Sequence, residues 1–187
     1  MYKFENLAIN DVIAIDTKVF FDDRGFFYES FNSNDFNLAI GVNVNFVQDN
    51  YSHSIQNVLR GLHFQLNNPQ GKLIRVIQGE IYDVAVDLRL GSKSYGKYVS
   101  QYLSSKNKKM LWIPEGFAHG FLTLSNSADV AYKVTNYYDP KSEKSIIWND
   151  EDIGIEWPIK KNIVVSEKDS NGMNFKEFDK KVLKFNY

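Results

Sequence analysis

The fold class is decided by the stretch Glu80-Ile81-Tyr82-Asp83-Val84-Ala85-Val86-Asp87-Leu88-Arg89, in which side chains alternate in character with a period of two. One face of this stretch is apolar throughout, with Tyr82, Val84, Val86 and Leu88. The opposite face mixes Ile81 and Ala85 with the charged residues Asp83, Asp87 and Arg89. Because successive side chains of a strand point to opposite faces, the pattern predicts a half-buried β-strand.

The chain on either side of this stretch repeats the pattern in short runs. Turn signals such as Asn68-Pro69-Gln70-Gly71 and Pro114-Glu115-Gly116 separate them. The further predicted strands are Val44–Gln48, Leu73–Gln78, Lys97–Leu103, Met110–Ile113, Phe117–Leu124 and Asp129–Tyr137. Many short strands at this spacing predict an all-β fold, either a sandwich or a barrel.

Helical patterns are few. A short helix is predicted over Ser33–Ile40, ended by Gly41, and apolar residues at helical spacing predict another over Asn174–Phe185. The chain contains no internal repeat and no linker rich in Gly, Pro or Ser. We therefore expect residues 1–187 to form a single domain, in the usual size range for one core.

Composition excludes several classes of protein. Apolar residues make up 43% and charged residues 24%, which argues against a disordered chain or a coiled coil. The net charge of −1 gives no basic excess for nucleic acid. No apolar run is long enough for a spanning helix, and Met1–Asn6 has no signal-peptide layout. With no cysteine in the sequence, we expect a cytoplasmic protein.

Two histidine-containing segments resemble the motifs of the cupin jelly rolls. Pro114-Glu115-Gly116-Phe117-Ala118-His119 has the spacing of the second cupin motif, whose histidine often binds a metal. In the first motif, however, the second histidine is replaced by Gln65, and the usual glutamate by Lys72. Glutamine is a weak neutral ligand, and a lysine ammonium has no lone pair to donate. We therefore expect a cupin-type barrel without a metal site.

The residues at these positions suit proton transfer. A neutral His63 can accept a proton near neutral pH, and the Lys72 ammonium can stabilise negative charge that develops on a carbonyl oxygen. Tyr132 lies on the same face of its predicted strand as Val130 and Val134 and can return a proton from elsewhere. The set permits proton exchange next to a ketone. A core histidine, a surface lysine and a structural tyrosine are the alternative.

Other residues suggest a phosphorylated, aromatic ligand. Arg24 and Arg60 each stand beside a glycine, and arginine suits bidentate contact with phosphate oxygens. Adjacent rings at Tyr137-Tyr138 can stack on a nucleobase. Surface arginines and a structural tyrosine remain the alternative for each of these residues.

Eight sequence blocks carry a closer resemblance, which extends from about residue 10 to residue 170. They are Asp23–Glu29, Phe46–Asn50, Asn57–Gln65, Gln70–Leu73, Gly79–Asp87, Leu111–Phe121, Tyr132-Lys133 and Trp148-Asn149-Asp150. Together they resemble the dTDP-4-dehydrorhamnose 3,5-epimerase family, whose members invert two carbons of a nucleotide sugar without a cofactor. The resemblance implies a cupin-type jelly-roll barrel with a few short helices and a dTDP-4-keto-6-deoxy-hexose substrate.

The resemblance also implies a role for each site residue. His63 would abstract the C3 and C5 protons, Asp169 would orient it, and Tyr132 would protonate the opposite face. Lys72 would hold the enolate oxygen, and Tyr138 would stack on the thymine. The remaining substrate-binding positions are Arg24, Glu29, Gln48, Asn50, Arg60, His119, Glu143 and Lys168.

Several alternatives stay open. Within the same fold, the resemblance allows a C3-only epimerase and a 3,4-ketoisomerase. Two other classes are a metal-dependent cupin oxygenase, disfavoured by Gln65 and Lys72, and a non-catalytic sugar-binding cupin, disfavoured by the complete acid–base set. The resemblance further implies a homodimer in which an N-terminal strand crosses to the partner. The tail after Asp169 departs from the family ending, so its predicted helix has no support from the resemblance.

Overall fold

The computed structural model of the chain describes residues 2–180 and 185–186. Within these ranges the strands are β1 (Lys3–Asn6), β2 (Ile13–Asp16), β3 (Phe20–Asp22), β4 (Gly25–Phe27), β5 (Gln48–Ile55), β6 (Val58–Gln65), β7 (Lys72–Gln78), β8 (Glu80–Asp87), β9 (Arg89–Leu90), β10 (Tyr98–Ser104), β11 (Met110–Ile113), β12 (Phe117–Thr123), β13 (Ser127–Val134), β14 (Glu143–Ser145), β15 (Val164–Val165) and β16 (Phe185–Asn186). The helices are α1 (Ser33–Ile40), α2 (Glu167–Ser170) and α3 (Phe175–Lys180). Strands dominate, as the sequence predicts.

Two large sheets form the body of the fold. The first has the strand order β1-β2-β11-β7-β13-β5, and the second has the order β10-β8-β12-β6-β14, with β15 also pairing with β6. The pairs within each ordered path are antiparallel, whereas β15 runs parallel to β6. Strands that are neighbours in a sheet are distant in the chain, which is the arrangement of a jelly-roll barrel. The predicted all-β class is confirmed.

The main core lies between the two sheets. Apolar side chains from both sheets share one cluster there: Ala14, Ile74, Val76, Leu111, Ile113, Ala128 and Val130 from the first, and Ile81, Ala85, Val99, Leu103, Phe117 and Phe121 from the second. Full burial of a large aliphatic or aromatic side chain contributes about 1.5–3 kcal/mol relative to exposure. This packing fixes the spacing of the sheets and so the width of the space between them.

The second sheet is covered on its outer face as well. Val84 and Val86 of β8 pack there against Ile146, Trp157 and Phe178, which come from the C-terminal third of the chain. The prediction of a half-buried strand was therefore wrong, because every residue of β8 after Glu80 is buried. The reason is this extra layer, which residues 80–89 alone do not reveal.

Most other predicted elements are confirmed with shifted ends, and one strand is corrected. Strand β5 begins only at Gln48, whereas Val44 and Phe46 pack with Phe36 of α1 on the outer face of the first sheet. The prediction of a strand over Val44–Gln48 was therefore wrong apart from its last residue. Val44 and Phe46 are apolar because they pack on the outer face of a sheet, and they do not belong to a strand of it.

The helix predicted over residues 33–40 forms as α1. The Asn32 side chain caps its start by accepting from the backbone N–H groups of Asn34 and Asp35, and Gly41 ends it with φ of 74°. Of the helix predicted over residues 174–185, α3 accounts for the first half. Residues 181–184 lie outside the described part of the chain, and Phe185 belongs to β16.

Candidate active site

A cavity of about 360 Å³ opens between the two sheets. Its walls are formed by side chains from β5, β6, β7, β12, β13 and β14 and from the loops after β6 and β13: Gln48, Asn50, Ser52, Arg60, His63, Phe64, Gln65, Gln70, Lys72, His119, Gly120, Phe121, Tyr132, Tyr138 and Glu143. Nine of the residues that the sequence singled out for the site are among them. The structure thus gathers most of the predicted set in one place.

His63 and Asp169 form a hydrogen-bonded pair although 106 residues separate them. His63 Nε2 lies 2.6 Å from Asp169 Oδ1, and the other oxygen of Asp169 accepts the Gly61 N–H at 3.1 Å. Ser166 caps helix α2 by accepting the backbone N–H of Asp169, which places that carboxyl group against β6. Burial acts to raise the pKa of Asp169. The hydrogen bond and charge of His63, together with the hydrogen bond from Gly61, outweigh burial, so the pKa is lowered.

Lys72 begins β7 at the closed end of the cavity and is only 8% exposed. Burial lowers the pKa of Lys72 to about 8, although the nearby charges of Glu143 and Asp83 favour the ammonium. At neutral pH the side chain is therefore mostly a cation that is shielded from bulk water. A cation held there interacts strongly with any negative charge that forms beside it.

Tyr132 faces the cavity from the first sheet, whereas His63 faces it from the second. In the β13–β7 ladder Tyr132 is opposite Ile74 and Lys72 is opposite Val134, so Tyr132 and Lys72 lie diagonally on one inner surface. Burial raises the pKa of the Tyr132 hydroxyl, and Glu143 acts in the same direction while Arg60 opposes it. The tyrosine therefore keeps its proton and can donate it across the cavity from the histidine.

At the open end of the cavity, Tyr138 is held by polar contacts. Its hydroxyl donates to Glu143 at 2.7 Å, and its backbone N–H donates to Gln48. Lys168 forms an ion pair with the same oxygen of Glu143, and Gln48 donates to Asn50 at 2.8 Å. The hydrogen bond to Glu143 raises the pKa of Tyr138 to about 12. The ring is thus fixed in place while it remains 51% exposed to the entrance.

Arg60 is fixed by hydrogen bonds from part of its guanidinium group. Nε donates to Ser54 Oγ at 2.9 Å, and one Nη donates to the His53 carbonyl at 3.0 Å. These bonds hold the planar group at the cavity wall, where its other donors can reach a phosphate.

Residues that the sequence reasoning did not single out also shape the site. Asp83 of β8 contacts His119 through both carboxyl oxygens, and Phe121 closes the wall beside that histidine. The signal for Asp83 was present, since it is one of two buried acidic residues in a mostly apolar strand. Ser52 and Gln70 gave no such signal, because polar residues in strands and loops are mostly at the surface.

Arg24 and Glu29 are not brought to the cavity of their own chain. Arg24 stands at the turn of the β3–β4 hairpin with its side chain 89% exposed, and its nearest charge is Asp22. Glu29 lies beyond the same hairpin and accepts a hydrogen bond from Asn32. Neither residue is among those that line the cavity.

The cavity residues do not offer the ligands of a metal site. The side-chain amide of Gln65 is hydrogen-bonded to backbone groups. Its Nε2 donates to the carbonyls of Asn68 and Tyr137, and its Oε1 accepts from the Asp139 N–H. Among residues 2–180 and 185–186, no three His, Asp or Glu side chains are grouped closely enough to bind a metal ion. No helix in the same ranges is both long and apolar enough to cross a membrane.

Comparison with known proteins identifies close relatives. The family model described as dTDP-4-dehydrorhamnose 3,5-epimerase matches residues 6–177. A protein of that name from Salmonella typhimurium is 58% identical over 164 residues, covering 87% of this chain and 90% of its own. Another from Pseudomonas aeruginosa is 50% identical, covering 95% of this chain and 98% of its own.

Solved structures agree with these relatives. A 3,5-epimerase from Legionella pneumophila, in complex with dTDP-4-keto-L-rhamnose, superposes with a TM-score of 0.96 at 45% identity, over 100% of this chain and 99% of its own. A 3′-monoepimerase from Streptomyces bikiniensis, in complex with dTDP-quinovose, superposes with a TM-score of 0.90 at 27% identity, over 97% and 92% of the two chains.

Proposed function

The chain belongs to the dTDP-4-dehydrorhamnose 3,5-epimerase family, and we propose that it performs this isomerisation by proton transfer in the cavity between its two sheets. The reaction inverts C3 and C5 of dTDP-4-dehydro-6-deoxy-D-glucose. The carbonyl at C4 acidifies the C–H bonds on both sides, so each inversion is a deprotonation followed by reprotonation on the other face. The observation that supports this assignment is the placement of His63 and Tyr132 on opposite sheets, with Lys72 at the closed end.

His63 is the proposed base. Asp169 accepts a hydrogen bond from Nε2, so that Nδ1 keeps its lone pair for the carbon-bound proton. The ionised carboxylate then stabilises the imidazolium that forms. Because the pKa of Asp169 is lowered, this carboxylate stays ionised throughout the neutral range.

Lys72 and Tyr132 complete the proposed exchange. As the proton leaves, negative charge develops on the C4 oxygen, and the Lys72 ammonium stabilises it. Tyr132 then donates its phenolic proton to the face opposite His63, and the configuration of that carbon is inverted. General base catalysis contributes only about 10²–10⁴-fold, so charge stabilisation by Lys72 must supply much of the remaining rate.

We propose that the open end of the cavity holds the nucleotide. Tyr138 presents an exposed ring for the thymine, and Arg60 presents guanidinium donors to the diphosphate. The other polar groups proposed for this end are Gln48, Asn50, Glu143 and Lys168, whereas the more deeply buried His119 is proposed to contact the sugar. The open end thus anchors the part of the substrate that does not react.

A homodimer is the proposed assembly. The β3–β4 hairpin exposes four phenylalanines, Phe20, Phe21, Phe26 and Phe27, with 51–75% of each surface accessible. A second copy of the chain would cover such rings, and Arg24 and Glu29 could then bind the nucleotide sugar in the partner's cavity. Light scattering should report twice the chain mass, and replacing Phe21 and Phe27 with serine should give a monomer. A wild-type monomer would contradict the proposal.

We also propose that residues 1–187 fold as a single domain and act in the cytoplasm. The support for the domain is the layer from the C-terminal third that packs directly on the second sheet. The support for the compartment is a sequence without cysteine.

The reaction is tested by incubation with dTDP-4-keto-6-deoxy-D-glucose in D₂O, with deuterium located by NMR. Label at both C3 and C5 in the wild-type protein, lost in His63→Ala, is the expected result. His53→Ala is the matched control, because His53 lies outside the cavity and should leave labelling intact. Label at C3 alone would identify a C3-only epimerase, as in the relative from Streptomyces bikiniensis. Binding without label would indicate a non-catalytic sugar-binding protein.

A further inference from the structure

His119 has a buried acidic partner that the proton-transfer scheme above does not use. Its Nε2 atom lies 2.9 Å from one carboxyl oxygen of Asp83 and 3.0 Å from the other. An imidazole N–H shared between two oxygens produces such nearly equal distances, whereas a hydroxyl donor on the acid would favour one oxygen. We therefore assign the Nε2 proton to His119 as donor, which leaves Nδ1 as its second nitrogen.

The arrangement parallels that of the proposed base. His119 is directly opposite His63 in the β12–β6 ladder, so both side chains lie on the same face of the second sheet. Each imidazole directs Nε2 to an aspartate, Asp83 or Asp169, that is at most 4% exposed. Each therefore has Nδ1 available to the cavity that both side chains line.

The position of Asp83 places this second pair at the reacting end of the cavity. Asp83 is 0% exposed, and His119 and Lys72 are 7% and 8% exposed, whereas Tyr138 at the other end is 51% exposed. Asp83 also interacts electrostatically with Lys72. The buried Asp83 carboxyl group thus bonds to His119 and interacts electrostatically with Lys72, and both side chains line the closed end of the cavity.

We propose that Asp83 is a positioning residue for the epimerisation, fixing the ring and tautomer of His119 so that Nδ1 accepts a hydrogen bond from a hydroxyl of the hexose. The inference rests on the proposed function, because it assigns the closed end to the sugar. Such a bond would hold the ring so that its C–H bonds meet the base. Orientation of this kind raises kcat more than it raises affinity for the nucleotide.

The first test is Asp83→Asn. An asparagine amide can donate to Nε2 and so force the other tautomer, the effect that an equivalent change has in the serine protease triad. We expect kcat to fall by about 100-fold, the loss typical of a displaced group in a preorganised site. Affinity for dTDP, which lacks the hexose, should be unchanged by calorimetry. Loss of dTDP affinity together with kcat would mean a merely structural role and would overturn the proposal.

Asp87→Asn is the matched control. Asp87 is also fully buried on β8, but it bonds to Arg89, Ser92 and Ser94 instead of a cavity residue. We expect this variant to lose stability and to keep its kcat. An equal loss of kcat in both variants would show that a buried aspartate on β8 matters only for folding.

One further measurement does not depend on the folding of Asp83→Asn. The chain has three histidines, so long-range ¹H–¹⁵N spectra of ¹⁵N-histidine-labelled wild-type protein can identify the tautomer of each. The proposal requires the Nε2–H form for His119, and the Nδ1–H form would overturn it. Because this measurement needs no turnover, it remains informative if the wild-type protein shows no epimerase activity, which would count against the proposed function instead.

A double-variant comparison tests the route of the effect. If Asp83 acts through His119, the variant with both Asp83→Asn and His119→Ala should have the same kcat as His119→Ala alone. Additive losses would mean that Asp83 acts independently of His119 and would contradict the proposal.

Discussion

Replacing Lys72 by methionine should slow the reaction and stabilise the fold at the same time. Methionine has a similar length and no charge, so the variant removes the ammonium that would stabilise the enolate. We expect kcat to fall by about 10²–10³-fold, the range for loss of one preorganised donor. Binding of dTDP should persist, because the proposed nucleotide contacts lie at the open end of the cavity.

The gain in stability follows from the buried charge. The pKa of Lys72 is lowered from 10.5 to about 8, and at 1.36 kcal/mol per unit this means that folding costs about 3 kcal/mol when the ammonium is present. Below pH 8 both the folded and the unfolded chain carry the proton, so the cost is complete. Between pH 8 and 10.5 the folded state releases its proton first, and stability rises with pH. In Lys72→Met, Asp83 and Glu143 no longer have this nearby cation, which offsets part of the gain in stability.

The assay is urea unfolding of wild type, Lys72→Met and the exposed-lysine control Lys106→Met, at pH 7 and at pH 10. We expect the Lys72 variant to be more stable than wild type at pH 7, by up to about 3 kcal/mol, with a smaller difference at pH 10. Lys106→Met should match wild type at both pH values, since Lys106 is exposed. A Lys72 variant that is less stable at pH 7, or that turns over at the wild-type rate, would refute the reasoning.

Three further variants test the other parts of the site. Tyr132→Phe should let deuterium exchange into the substrate without inversion, because the base still removes and returns protons on one face; normal product formation by NMR would contradict the assignment. Asp169→Asn should lower kcat by roughly 10²–10⁴-fold. Because the pKa of Asp169 is lowered, the stability it provides at pH 7 should be lost as the pH falls below 3.8, so melting curves of wild type and variant should converge in acid. Gly61→Ala should destabilise the fold by about 3 kcal/mol, since its Cβ would lie 2.5 Å from the backbone of β12, whereas Gly91→Ala, with nothing within 4 Å, should lose less in the same thermal assay.

Most strands of the core were predictable, but β2 and β6 were not predicted, and neither was β5, which lines the cavity. β8 and β11 are apolar enough for their periodicity to show. β5 has the sequence QDNYSHSI, and its inward residues Asn50 and Ser52 are polar because they face the cavity. A hydrophobic alternation cannot appear where the interior of the barrel is itself polar. The polar inward side chains that let β5 line the cavity therefore also hid this strand from a prediction based on apolar alternation.

The partners of the site residues were harder to predict than the residues themselves. The spacing of the first cupin motif singled out His63 and Lys72, since Lys72 stands seven residues before Gly79, where the motif has its glutamate. The pairing of His63 with Asp169 followed only from the family resemblance, since no local pattern links residues so far apart. Asp83 was visible as a charge in a buried strand, but its contact with His119 arises from pairing between β8 and β12.

The strands and the helix that complete the surroundings of β6 are synthesised later than β6 itself. β6 bears the proposed base, yet its neighbours β14 and β15 and the carboxylate on α2 all come from residues after 142. Chains are made from the N-terminus at about 5–20 residues per second, so the barrel strands leave the ribosome several seconds before Asp169 does. A nascent chain can therefore begin to form its two sheets while His63 still lacks its partner. The proposed catalytic pair is then complete only after the segment that carries Asp169 has been synthesised.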